Sequence, residues 1–141
     1  MGNKIILGID PGRSKTGLAL VDTAGKILDY KVVLMTDFPG ELQEFTAGYT
    51  ISRCILGNGT TSDSMAKTLQ KLLAVDITVV EEAHSTEEAR KLYWELNPPQ
   101  GLRKLLPTGM QVPPVNLDGL AAVILVKRYV QNTNKKTIKN N

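Results

Sequence analysis

A chain of 141 residues with 42% hydrophobic and 22% charged residues has the balance of one ordinary globular domain. That length excludes two lobes closing on a ligand, and a net charge of +3 permits a nucleic-acid partner without requiring one. No apolar stretch approaches the roughly 20 residues needed to cross a membrane, and the N-terminus lacks a signal-peptide pattern, so a cytoplasmic protein is expected.

Ile5 to Ile9 is an apolar run bounded by turn residues, as in a strand covered on both faces. Pro11-Gly12 breaks it, Thr16 to Val21 resumes an extended pattern, and Asp22-Thr-Ala-Gly25 forms a hairpin loop before a third strand from Ile27 to Met35. The chain therefore opens with a three-stranded antiparallel meander. Glu41 to Ala47 reads as a short helix with Pro39 near its start. Arg53 to Leu56 reads as a fourth strand, carrying the lone Cys54 as a buried small hydrophobe and ending at Gly57-Asn58-Gly59. Met65, Leu69, Leu72 and Leu73 recur at helical spacing within Ser62 to Ala74, and Ile77 to Val80 is a β-branched fifth strand.

Ser85-Thr-Glu-Glu88 has capping-box spacing for a helix whose apolar stripe is Ala89, Leu92, Tyr93 and Leu96. Trp94 falls off that stripe, which leaves stacking on a base, packing in a homodimer interface, or burial under the next loop. That loop, Asn97 to Val115, is rich in proline and long enough to suggest a mobile substrate-binding element. Its alternative is a surface connector wedged in place by Leu102, Leu105 and Leu106. Asn116 caps a last helix through Leu120, Val123, Ile124 and Val130. Gln131 to Asn141 reads as a basic disordered tail, leaving residues 1–130 as one domain. The architecture expected is α/β, a five-stranded mixed sheet of three antiparallel strands then two parallel ones, flanked by helices.

Asp10 ends the first strand beside a Gly-rich turn. It can hold a metal ion or a phosphate there, or simply cap the Asp-Pro-Gly turn. Glu81 and Glu82 close the fifth strand, where alternation lets only one of them look toward a given site. Asp118 lies in the first turn of the last helix, where it also suits the helix dipole. Carboxylates from separate elements meeting at a sheet edge are what oxygen-ligated Mg²⁺ or Mn²⁺ requires. His84, the only histidine, would share the face of Glu82 if the strand continued, as a general acid or base; otherwise it is a solvated loop residue. Among the basic residues, those expected nearest the acids are Arg13, Lys15, Arg103 and Lys104, as phosphate contacts. Arg90, Lys91, Lys127 and Arg128 are further candidate phosphate contacts, but as charge runs away from the acids they read as solvated faces.

Gly8-Ile-Asp-Pro-Gly-Arg-Ser-Lys-Thr-Gly17, Glu81-Glu82-Ala-His-Ser-Thr86 and Asp118-Gly-Leu-Ala-Ala-Val-Ile-Leu125 together resemble the three signature blocks of the YqgF/RuvX proteins. These are relatives of the RuvC Holliday-junction resolvases in the RNase H-like superfamily. The resemblance implies an RNase H-like fold and a metal-dependent endonuclease with Asp10, Glu82 and Asp118 as catalytic, metal-binding acids. It implies a substrate of Holliday-junction DNA or an rRNA precursor, hence DNA recombination or rRNA processing. Glu81 stands where the family often carries Asp, so it is not the expected ligand. The chain departs from RuvC at Gly57-Asn58-Gly59, where an acid is usual, and at Asn116, where a second aspartate is usual; Ala83 replaces a frequent arginine. A non-catalytic nucleic-acid-binding module and an actin-like phosphate-binding ATPase are the other function classes considered.

Overall fold

The computed structural model describes residues 4–99, 113 and 115–139, with the backbone alone at 134–139. Five strands, β1 (Ile5–Asp10), β2 (Lys15–Asp22), β3 (Ile27–Leu34), β4 (Ile51–Gly57) and β5 (Ile77–Val80), form one sheet in the order β3-β2-β1-β4-β5. β1 pairs antiparallel with β2 and parallel with β4, and β4 pairs parallel with β5, so the expected mixed sheet is the one observed. Helix α1 (Phe38–Thr46) and helix α2 (Ser62–Leu72) follow β3 and β4, while α3 (Ser85–Leu96) and α4 (Asp118–Lys139) close the chain.

Because strand side chains alternate, each buried strand feeds two cores. Leu7 and Ile9 of β1 join Leu18, Leu20, Cys54 and Leu56 beneath Phe38, Leu42, Met65 and Leu69 from α1 and α2. Ile6, Ala19, Val21 and Ile55 face the other way, under α4. Residues Leu120 to Val126 of α4 are all buried, because the sheet lies below them and α3 packs above through Ala89 and Leu92. An apolar face on each side of α4 explains why its sequence lacks a polar stripe there.

Glycines set the distance between α4 and the sheet. A methyl at Gly8 would stand 2.6 Å from the Ala122 carbonyl oxygen, and one at Gly17 would overlap the Asp118 carbonyl. Only hydrogen at these two positions lets the helix backbone rest on β1 and β2.

Several sequence expectations are corrected. Ser85 does not cap α3; it is the helix's first residue, preceded by His84 in the left-handed conformation (φ 63°), with no side-chain capping bond. A reverse turn sets this start, as the Ser85 N–H donates to the Glu82 carbonyl at 3.0 Å. Leu96 is exposed and Trp94 is buried, its ring edge-on to Tyr93 at 4.9 Å, so Trp94 is not a surface stacking platform. The expected tail is helical over 131–139, since α4 continues to Lys139; a helix already anchored over its first half extends without a new nucleus. Most of the loop from Asn97 to Val115, with Arg103 and Lys104, lies outside the described residues. Among the described residues no helix is long and apolar enough to cross a membrane.

Candidate active site

The three parallel strands β1, β4 and β5 end on the same edge of the sheet, at Asp10, Gly57 and Val80. Crevices outside the carboxyl ends of parallel strands are where ligands bind in open α/β sheets, because loops diverge there and backbone groups become available. Asp10 lies two residues beyond Gly8 and so shares the α4 face of β1; in the register it sits opposite Gly17, against whose missing side chain the first turn of α4 rests. Asp118 is thereby delivered beside Asp10. Its own N–H donates to the Asn116 side-chain oxygen at 2.8 Å, so Asn116 does cap this helix start as expected.

Glu82 reaches the same place from the turn after β5. Its N–H donates to Asn58 Oδ1 at 3.0 Å, and the Asn58 N–H donates to the Val80 carbonyl at 3.0 Å, stitching the end of β4 to that turn. The Glu82 carboxylate lies over Gly57 and Gly59: methyl groups there would stand 2.7 Å from Oε2 and 2.7 Å from Oε1. Gly57-Asn58-Gly59 is thus the cradle of an acid from the turn after β5. Any larger side chain would take the space that the Glu82 carboxylate fills.

Burial, then the charges of Glu82 and Asp118, then a hydrogen bond with Glu82, push the Asp10 carboxyl up from 3.8 to about 7. Oε2 of Glu82 is buried and has no hydrogen-bond partner among the described residues. Both observations have one cause. Two ionised carboxylates are acceptors only, so Asp10 and Glu82 can bond to one another only when a proton is shared between them. An unpartnered buried oxygen, a glycine cradle and an acid whose carboxyl is pushed up to about 7 fit a divalent cation, which would displace the proton and satisfy both groups. Among the described residues no three of His, Cys, Asp and Glu are grouped to hold one ion together. Asp10 and Glu82 are therefore the close pair, and Asp118 acts on Asp10 through its charge.

The other candidates divide. Glu81 is exposed and only its carbonyl is engaged, so Glu82 is the member of the pair that meets Asp10. β5 stops at Val80, so His84 does not continue the face of Glu82; its exposed ring lies 3.6 Å from Glu87 across Nδ1 and Oε2. Arg13 is exposed beside Gly12, at a cavity of about 130 Å³ that Thr61, Ser64 and Thr68 also line. Lys15 is exposed at the start of β2, opposite Leu34. Arg128 is not a solvated charge: its guanidinium is spent on backbone carbonyls and Glu88. Sequence reasoning passed over this role because its partners lie 40 to 47 residues away, and only the folded helix brings them together.

No family model matches the chain, and no curated protein matches it in sequence. Among solved structures it is similar to RuvC from T. thermophilus in complex with a Holliday junction substrate, with TM-score 0.54 and 12% identity over 91% of this chain and 95% of that one. It is also similar to a ROK family transcriptional regulator, a homolog of the E. coli MLC protein (TM-score 0.47, 12% identity, 64% of this chain), and to a ROK family glucokinase from Streptomyces griseus (TM-score 0.43, 15% identity, 69% of this chain). The chain spans about a third of the length of these two, 31% and 38%. The sheet order, the parallel placement of β1, β4 and β5, and the end-to-end likeness to RuvC make the fold RNase H-like.

Proposed function

We propose that this chain is a divalent-metal-dependent endonuclease that hydrolyses phosphodiester bonds in structured nucleic acid, either branched DNA or folded RNA. The observation that carries the reading is the Asp10–Glu82 carboxylate pair, under the charge of Asp118, where the parallel strands of an RNase H-like sheet end. Mg²⁺ or Mn²⁺ held there by Asp10 and Glu82, with the charge of Asp118 nearby, would supply an activated water and charge stabilisation at phosphorus. Asp10, buried on one side by α4 and facing the strand-end crevice on the other, presents its carboxylate to the phosphate. Glu82 is held against the Gly57 and Gly59 backbone, so its carboxylate has one place to be and loses little entropy on ligation. In the reaction water adds to phosphorus, one P–O bond to a sugar oxygen breaks, and that oxygen takes the proton.

Arg13 and Lys15, exposed just past Asp10, contact flanking phosphates in this reading. His84, 3.6 Å from Glu87 across Nδ1 and Oε2, is not required by this reading. The resemblance to YqgF/RuvX proteins supports an RNA precursor as one substrate, and the RuvC likeness supports a four-way junction as the other. Two copies of the chain acting on a symmetric junction belong to the second case. Labelled junctions, duplexes and structured RNAs incubated with Mg²⁺ or Mn²⁺ test the reading. Cleavage by the wild type that vanishes in Asp10→Asn supports it. Binding to nucleic acid without cleavage under either metal would replace it with a non-catalytic binding module.

A further inference from the structure

Resting on the metal-site reading above, we infer that Arg128 of α4 is a positioning residue that sets Glu82 for metal binding from outside the site. Its Nη1 donates to the Glu81 carbonyl at 2.8 Å and its Nη2 to the Ala83 carbonyl at 2.6 Å, so one guanidinium grips the peptide on both sides of Glu82. Glu88 holds that guanidinium in turn, through Nε at 3.3 Å and Nη2 at 3.1 Å, and the Arg128 side chain is only 23% exposed. On the far side of the same turn, Asn58 Oδ1 takes the Glu82 N–H. The residue that carries the carboxylate is therefore held at its own N–H and at both neighbouring carbonyls, and its direction over Gly57 and Gly59 follows from three fixed points.

The turn needs such a clasp. β5 has already ended at Val80, so no ladder bond orients Glu82, and the chain must reverse through the left-handed His84 before α3 begins. A planar fork of donors suits two carbonyls on either side of one residue; an ammonium group offers a point charge and cannot span both. Because Arg128 and Asp118 belong to one helix, the clasp also ties the position of Glu82 to that of Asp118. Partners outside a metal's ligands that orient them typically alter metal affinity about 10- to 100-fold when removed.

The test is Mn²⁺ binding to the full chain, measured by calorimetry well below the unfolding temperature, for the wild type, Arg128→Lys and Glu88→Gln. Arg128→Lys is expected to bind Mn²⁺ about 10- to 100-fold more weakly while remaining folded, with Glu88→Gln falling between it and the wild type. Unchanged Mn²⁺ affinity in folded Arg128→Lys, with only a lowered melting temperature, would overturn the inference by reducing Arg128 to a brace. Should Arg128→Lys fail to fold, Glu88→Gln decides alone: weakened affinity supports the clasp, unchanged affinity overturns it. If the wild type binds no Mn²⁺, the metal reading fails separately. Crystal structures of the variants then decide for Arg128: a Glu82 carboxylate still seated over Gly57 and Gly59 overturns the inference, and a displaced one supports it.

Discussion

On one face of β1, Leu7 and Ile9 pack among large side chains from α1 and α2, including Phe38, Leu42 and Leu69. On the other, Ile6 is followed by Gly8 and Asp10, and α4 lies with its backbone against the glycines. The first face is filled by side chains that hold two helices off the sheet, so it stores burial energy and little else. The second gives up side-chain volume for close approach, and that approach places the N-terminal end of α4, with Asp118, over the end of β1. Adjacent residues of one strand therefore answer to different demands, packing at Ile9 and site geometry at Gly8 and Asp10.

Substitutions that separate the two faces sharpen this contrast. Gly17→Ala should have the largest effect, because its methyl meets the Asp118 carbonyl and the helix backbone must move. A loss of about 3 kcal/mol or more in denaturant unfolding is expected, together with loss of activity in whatever remains folded. A fully active Gly17→Ala protein of wild-type stability would show that α4 does not depend on the glycine contact.

Asp10→Asn should remove activity and yet stabilise the metal-free protein above neutrality. The Asp10 carboxyl is raised in the fold from 3.8 to about 7, so between those values the native state holds a proton that the unfolded chain has released. Wild-type stability contributed by this group is intact below pH 3.8 and is lost as pH rises through about 7. In EDTA the melting temperature of Asp10→Asn should gain on the wild type across that window and keep its lead above it. A gap that does not change with pH would mean that Asp10 is ionised throughout.

Gly59→Ala is a finer probe. All three nearest atoms to the added methyl belong to the Glu82 carboxylate, the movable end of a flexible side chain. Stability should change by less than about 1 kcal/mol while Mn²⁺ binding falls at least tenfold, about 1.4 kcal/mol. Ile9→Val, one residue before Asp10 but on the packed face, should do the reverse: about 1 kcal/mol of stability lost with activity retained. Glu81→Gln should do least, leaving activity within about twofold, since that side chain points to solvent. A loss equal to that of Glu82→Gln would break the assignment of Glu82 to the site.

The fold was largely legible in the chain because its signals are local. Apolar runs bounded by turn residues mark β1 to β5, and alternation allows only one of Glu81 and Glu82 to meet Asp10; the packed structure shows that it is Glu82, even though β5 stops at Val80. Asp10 at a strand end and Asp118 behind its Asn116 cap were visible for the same reason. What only the tertiary structure decided depends on contacts between distant segments. Composition could not show that Gly57 and Gly59 cradle the Glu82 carboxylate, that His84 turns the chain and faces Glu87, or that Arg128 reaches back to the carbonyls of Glu81 and Ala83. A residue's pattern along the chain sets which face of its own element it occupies. Which group lies across from that face is set by how the elements pack, and the Asp10–Glu82 pairing with its raised pKa exists only once they have done so.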